Sequence, residues 1–115
     1  MGNCSISNHA GQKKSEVFNA EKAVAYAENA VVSRTILENS GGTVTLFAFD
    51  ANQGLSEHSA PFDALVSVLD GEVRITIGGI PHHLKRGDCI VMPADVPHAL
   101  EAVTAFRMML AMIRP

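Results

Sequence analysis

The stretch Gly87-Asp88-Cys89-Ile90-Val91-Met92-Pro93-Ala94-Asp95-Val96-Pro97-His98 decides the fold. Gly87-Asp88 is a turn pair. The apolar run Cys89–Met92 that follows is too short for a helix and long enough for a strand. Pro93 has no amide hydrogen to give to a ladder, and Asp95 and Pro97 favour turn geometry before the chain resumes at His98. Turn, short strand, turn and new strand in quick succession is the rhythm of an all-β sandwich or barrel.

The same punctuation continues outward. Upstream, VVSRTILE meets Asn39-Ser40-Gly41-Gly42, and TVTLFAFD meets Ala51-Asn52-Gln53-Gly54. ALVSVLD meets Gly71, EVRITI meets Gly78-Gly79, and HHLK runs toward Gly87. Downstream, FRMMLAMI ends close to Pro115. These runs predict an antiparallel β-barrel from Val31 to Ile113, with Gly71, Gly87 and Pro97 at strand ends or turns. Between Glu21 and Asn29, the residues Ala23, Val24, Tyr26 and Ala27 lie among charges, with Asn19 available as a cap, which predicts one short N-terminal helix. Residues 1–15 have almost no apolar periodicity and are expected to form a flexible tail, leaving residues 16–115 as the barrel domain.

Composition narrows the partners. A chain of 115 residues with 47% hydrophobic and 18% charged residues fits one globular domain rather than a disordered segment. A net charge of −3 with scattered Lys and Arg argues against nucleic acid and anionic membrane. No apolar stretch approaches the roughly 20 residues of a membrane span. No charged-then-apolar leader is visible, and Ile6 occupies the position where an N-myristoylation signal needs Ser or Thr. Cys4 lies in the tail and Cys89 in an apolar run where a small thiol packs like a hydrophobe, so two free thiols in a reducing cytoplasm are expected. Two runs are apolar on both faces: Val44, Leu46 and Ala48 oppose Phe47 and Phe49, while Phe106, Met108, Leu110 and Met112 oppose Met109, Ala111 and Ile113. A second apolar face needs cover. The expectation is a homodimer through Thr43–Phe49 or Phe106–Ile113, against the alternative that the N-terminal segment covers it.

Gly87, Pro93 and His98 resemble the second motif of the cupins, G-x5-P-x-G-x2-H-x3-N, with Asp95 in place of the second Gly and Ala102 in place of Asn. His58-Ser59-Ala60-Pro61-Phe62-Asp63-Ala64 through Gly71 resembles the first motif, H-x-H-x3-E-x6-G, with His58 and Gly71 matching. Ala60 stands where the second His would be and Ala64 where the Glu would be. The resemblance implies a single antiparallel cupin β-barrel, a double-stranded β-helix or jelly roll. Within it the motif histidines and Glu converge on a divalent transition metal that imidazole and carboxylate suit. Only His58 and His98 carry over as metal- or ligand-binding residues. A metal of unspecified identity is therefore expected to be weakly or partially held.

Other residues were weighed as ligands. Strand alternation aims Asp63 and Glu57 away from the interior, and no motif supports Gln53 or His82. Met108 and Met112 read as core, His82 and His83 as hairpin surface, and His9 as tail. The functional expectation is a small molecule bound in an apolar barrel cavity, with His58 and His98 both pointing inward as polar anchors. The alternatives are a metal-dependent isomerase, lyase or dioxygenase with no catalytic residue identified, and a non-catalytic dimeric interaction module.

Overall fold

A computed structural model of the protein describes residues 4–8, by their backbone, and residues 11–115. Among the described residues there are ten strands in chain order: β1 (Cys4–Asn8), β2 (Ala30–Asn39), β3 (Gly42–Phe49), β4 (Gly54–His58), β5 (Asp63–Asp70), β6 (Glu72–Ile77), β7 (Ile80–Lys85), β8 (Cys89–Met92), β9 (His98–Ala102) and β10 (Phe106–Ile113). They form a six-stranded sheet ordered β1-β2-β3-β10-β5-β8 and a four-stranded sheet ordered β4-β9-β6-β7. All pairs are antiparallel except β1 with β2. The architecture is thus a two-sheet jelly roll rather than one closed ladder. Pro81 on edge strand β7 and Pro93 just after edge strand β8 have no amide hydrogens with which to extend the edges.

One core lies between the sheets. Phe49, Val66, Phe106 and Met108 from the large sheet meet Val73, Ile75, Leu84 and Leu100 from the small one. Phe49 and Phe106 are cross-strand partners, and their rings stack with centroids 4.5 Å apart. Gly71, Gly87 and Pro97 fall between strands as expected. Gly71 has φ 74, and a Cβ there would collide with the carbonyl oxygen of Ala105. Asp95 adopts φ 64, so it supplies the left-handed turn that a glycine would otherwise give. Cys89 is exposed rather than packed, because alternation on β8 turns Ile90 and Met92 inward and leaves Cys89 and Val91 outside.

The N-terminal helix does not form. Asn19 Oδ1 does accept the Lys22 amide, but it caps a single turn. Beyond it, two sheet arginines take the carbonyls a helix would use: Arg34 Nη1 donates to Ala23 O at 3.1 Å, and Arg107 Nε donates to Val24 O at 2.8 Å. The segment is an extended arm across the outer face of the large sheet, where Val24, Ala20, Ala23 and Tyr26 cover Leu46, Ala48, Leu69 and Met109. Tyr26 Oη donates to Asp70 Oδ2 at 2.7 Å, and Arg107 Nη1 binds the same carboxylate oxygen at 2.9 Å while its guanidinium lies 4.0 Å over the Tyr26 ring. Burial, then the bond and charge of Asp70, push the Tyr26 phenol far above its ordinary value. The expected tail falls partly on residues 1–3, 9 and 10, which lie outside the described residues, as does the Cys4 side chain.

The arm leaves one cross-strand row bare. Leu37, Val44, Ala111, Leu65 and Val91 are successive partners across β2, β3, β10, β5 and β8. Leu37 is 51%, Leu65 43% and Val91 57% exposed. So the arm covers part of the second apolar face and this row remains. No helix among the described residues is long and apolar enough to cross a membrane.

Arg107 joins the arm to the sheet by a hydrogen bond to Val24 and a cation–ring contact with Tyr26, which sets a test. Arg107→Met should lower stability by about 2 kcal/mol, since it removes two charge-assisted bonds. In urea denaturation the midpoint should fall, and protease should cut first within residues 11–29. An unchanged midpoint would show that Arg107 does not anchor the arm.

Candidate functional site

His58 ends β4 and His98 begins β9, and they are cross-strand partners. Leu55 faces the core, and a regular strand would turn a residue three positions later to the opposite face. Between Leu55 and His58, however, the register slips: Ser56 and Glu57 stand against Ala99 alone. This bulge resets the alternation and returns His58 to the side of His98. The rings meet edge to face, with centroids 4.4 Å apart and Nε2 to Nε2 at 3.1 Å. His98 is buried, at 6% exposure, whereas His58 is exposed. The structure therefore brings the two expected residues together but places only His98 inside.

The hydrogen count at this pair is informative. His58 Nδ1 lies 2.8 Å from Ser56 O, and His98 Nδ1 lies 3.3 Å from Val96 O. Carbonyl oxygens only accept, so both Nδ1 atoms are best placed to donate. Two neutral rings then present lone pairs to each other at Nε2. Three contacts need three hydrogens, and two neutral imidazoles carry two. A proton on one ring, a group that donates to Nε2, or an ion that coordinates it completes the set. Burial, then the neighbouring His58 charge, holds the His98 ring below its ordinary pKa, with the Val96 carbonyl pulling the other way.

Two Nε2 atoms 3.1 Å apart suit neighbouring ligands of one ion, since each metal–imidazole bond is about 2.1 Å. The donor count does not suit it. Ala60 and Ala64 supply nothing, and no group of three or more His, Cys, Asp or Glu able to hold a metal occurs among the described residues. Asp63 Oδ1 instead accepts the Ala94 amide at 2.8 Å, and Glu57 is exposed. His82 is half-buried opposite Ile75, while His83 faces out, 3.8 Å from Glu72. His9 lies outside the described residues. These residues do not make a tight metal centre.

Around one of the alanines the space is taken by larger side chains. Ala64 pairs with Met92 on one side and Met112 on the other, so flexible thioether side chains flank it. Concave sites of about 440 and 280 Å³ lie elsewhere, and neither is lined by His58 or His98. The first of these is lined by Asn52, Ser56, Arg74, Thr76 and Glu101, which the sequence reading missed; they carry no motif and converge only through strand register.

A two-sheet jelly roll with paired histidines at the motif positions defines a small cupin-type domain. The family model of the cupin domain matches residues 45–114, and the chain belongs to that family. A conserved protein of unknown function from Streptococcus pyogenes is similar over 96% of both chains, with 34% identity and a TM-score of 0.87. A cupin 2 conserved barrel domain protein from Leptotrichia buccalis is 37% identical over 84% of this chain and 47% of its own, with a TM-score of 0.82. A cupin superfamily protein from Desulfitobacterium hafniense, 22% identical, shares the fold over 94% of this chain and 99% of its own, with a TM-score of 0.85. No curated protein matches the sequence.

Because the folded state depresses the His98 pKa, the unfolded chain binds more protons at mildly acidic pH. The contribution of His98 to stability is complete above pH 6.5, the ordinary histidine value, and is lost as pH falls from there through the folded-state pKa. Replacing His98 with Gln should flatten the stability profile over that window. A wild-type profile flat below pH 6.5, after correction for the other histidines, would contradict the depressed value.

Proposed function

We propose that this cupin binds a small organic molecule at the His58–His98 pair, through a hydroxyl or protonated acid group that donates to Nε2. The observation that carries the reading is the 3.1 Å Nε2 contact between rings whose Nδ1 atoms both face carbonyls. A buried imidazole whose acceptor lacks a donor is costly, and a ligand hydroxyl removes that cost. The position supports recognition from solvent, since His58 is exposed and His98 buried. A divalent ion held by these two imidazoles alone would be weak. Metal analysis of dialysed protein should therefore find well under one ion per chain. A stoichiometric ion would instead favour the metal-dependent enzyme.

The partner that fits the row Leu37, Val44, Ala111, Leu65 and Val91 is a second copy of the chain. It draws on the two strands whose double apolarity motivates a dimer, and the own-chain arm leaves it uncovered.

Two measurements test these readings. In a thermal-shift panel of small alcohols, phenols and hydroxy acids, compounds that raise the melting temperature should lose that effect in His98→Ala, with the far-ultraviolet circular dichroism unchanged. A shift kept in both His98→Ala and His58→Ala would reject the site. For the dimer, Leu65→Glu should convert the sedimentation coefficient from dimer to monomer. A monomeric wild type would remove the second copy from the reading.

A further inference from the structure

The outer face of the four-stranded sheet carries a polar basin of about 440 Å³, within the range of small-molecule sites. Register builds it from two cross-strand rows. Gly54, Glu101 and Arg74 are successive partners across β4, β9 and β6. In the next row Thr76 pairs with Ala99, opposite which the β4 bulge carries Ser56. The inward neighbours Leu100, Val73 and Ile75 are buried, so alternation turns Glu101, Ala99, Arg74 and Thr76 outward. Gly54 and Ala99 make a low floor. The Gly54 floor position has a backbone cause, since a Cβ there would strike the Leu100 carbonyl. The loop before β4 adds Asn52 and Gln53 to the rim.

The wall chemistry points to one ligand class. Arg74 Nη1 donates to Glu101 Oε1 at 2.7 Å, so the two charges cancel across the basin. With the side chains 53% and 62% exposed, their remaining guanidinium hydrogens and second carboxylate oxygen stay open to solvent. An exposed pair of this kind contributes little to stability. What it does provide is a fixed donor and a fixed acceptor side by side, which lowers the ordering cost of binding. Ser56 and Thr76 add hydroxyls. No aromatic ring, His or Cys lines the basin. Alternating donors and acceptors with no net charge match vicinal hydroxyls.

We propose that this basin is a second ligand site, separate from the histidine pair, for a small neutral polyhydroxylated molecule such as a monosaccharide or cyclitol. With no aromatic platform for the ring, binding is weak, in the millimolar range.

The test is an amide NMR titration of the full chain with D-glucose and myo-inositol, with sodium glucuronate and glycine as charged controls. Saturable shifts should appear with at least one neutral probe and concentrate at Gly54–Ser56, Arg74–Thr76 and Ala99–Glu101. Thr76→Val should weaken binding about five- to tenfold, the loss of one hydrogen bond. Ala99→Leu should abolish it by filling the floor. The proposal is overturned if neither neutral probe gives saturable shifts, or if only glucuronate or glycine does. It is equally overturned if the shifts centre on His58 and His98, or if Ala99→Leu binds like the wild type. Should a variant lose spectral dispersion, the wild-type titration with its controls decides alone.

Discussion

Side-chain alternation, and the three places where bulges reset it, governs the molecule. In a paired strand every second residue faces the core, so one extra residue flips everything beyond it. On β5 the slip at Leu69 sets Asp70 opposite Arg107 on the outer face, where Val68 two positions earlier is in the core. On β2 the slip at Ile36 leaves Ile36 against the arm and Leu37 still outward beside Val44. On β4 the slip between Leu55 and His58 turns His58 toward His98. The arm latch, one end of the apolar row and the histidine pair follow from these displacements.

The latch shows how a sheet can unmake a helix. Residues 19–29 have helical composition and a capping Asn, and an isolated peptide of that length is too short to hold a helix in water. Against so weak a preference, charge-assisted bonds from Arg34 and Arg107 to the Ala23 and Val24 carbonyls decide the outcome. Burial of Val24 at 3% exposure adds to them. The arm in turn covers Leu46 and Ala48, which is why an apolar second face on β3 does not by itself demand a partner.

That competition marks the limit of what the sequence discloses. Turn residues are local, so Gly71, Gly87, Asp95 and Pro97 could be read directly, and with them the all-β class and seven of the ten strands described. Motif spacing likewise singled out His58 and His98, whose Nε2 atoms lie 3.1 Å apart, although only His98 is inside. Bulges leave no such mark. Nothing in Leu55-Ser56-Glu57-His58 announces that two residues will face one, so the solvent-side position of His58 and the basin beside it stayed hidden. Cys89 was misjudged for a related reason: an apolar run four residues long has two faces, and only structure says which is inside.

Alanine at two ligand positions also reads differently once its surroundings are known. Removing a carboxylate from an apolar interior removes a charge that needs a cation to remain there. With Ala64 flanked by Met92 and Met112, the site has no anion to neutralise and no buried charge to satisfy. What remains polar is the histidine pair, short by one hydrogen in its neutral state. A metal is one way to complete lone pairs on imidazole, and a ligand hydroxyl is another. Losing the carboxylate and one imidazole weakens the first route and leaves the second intact. The substitutions therefore favour binding through hydrogen bonds over binding through a metal, on the same backbone and from the same two histidines.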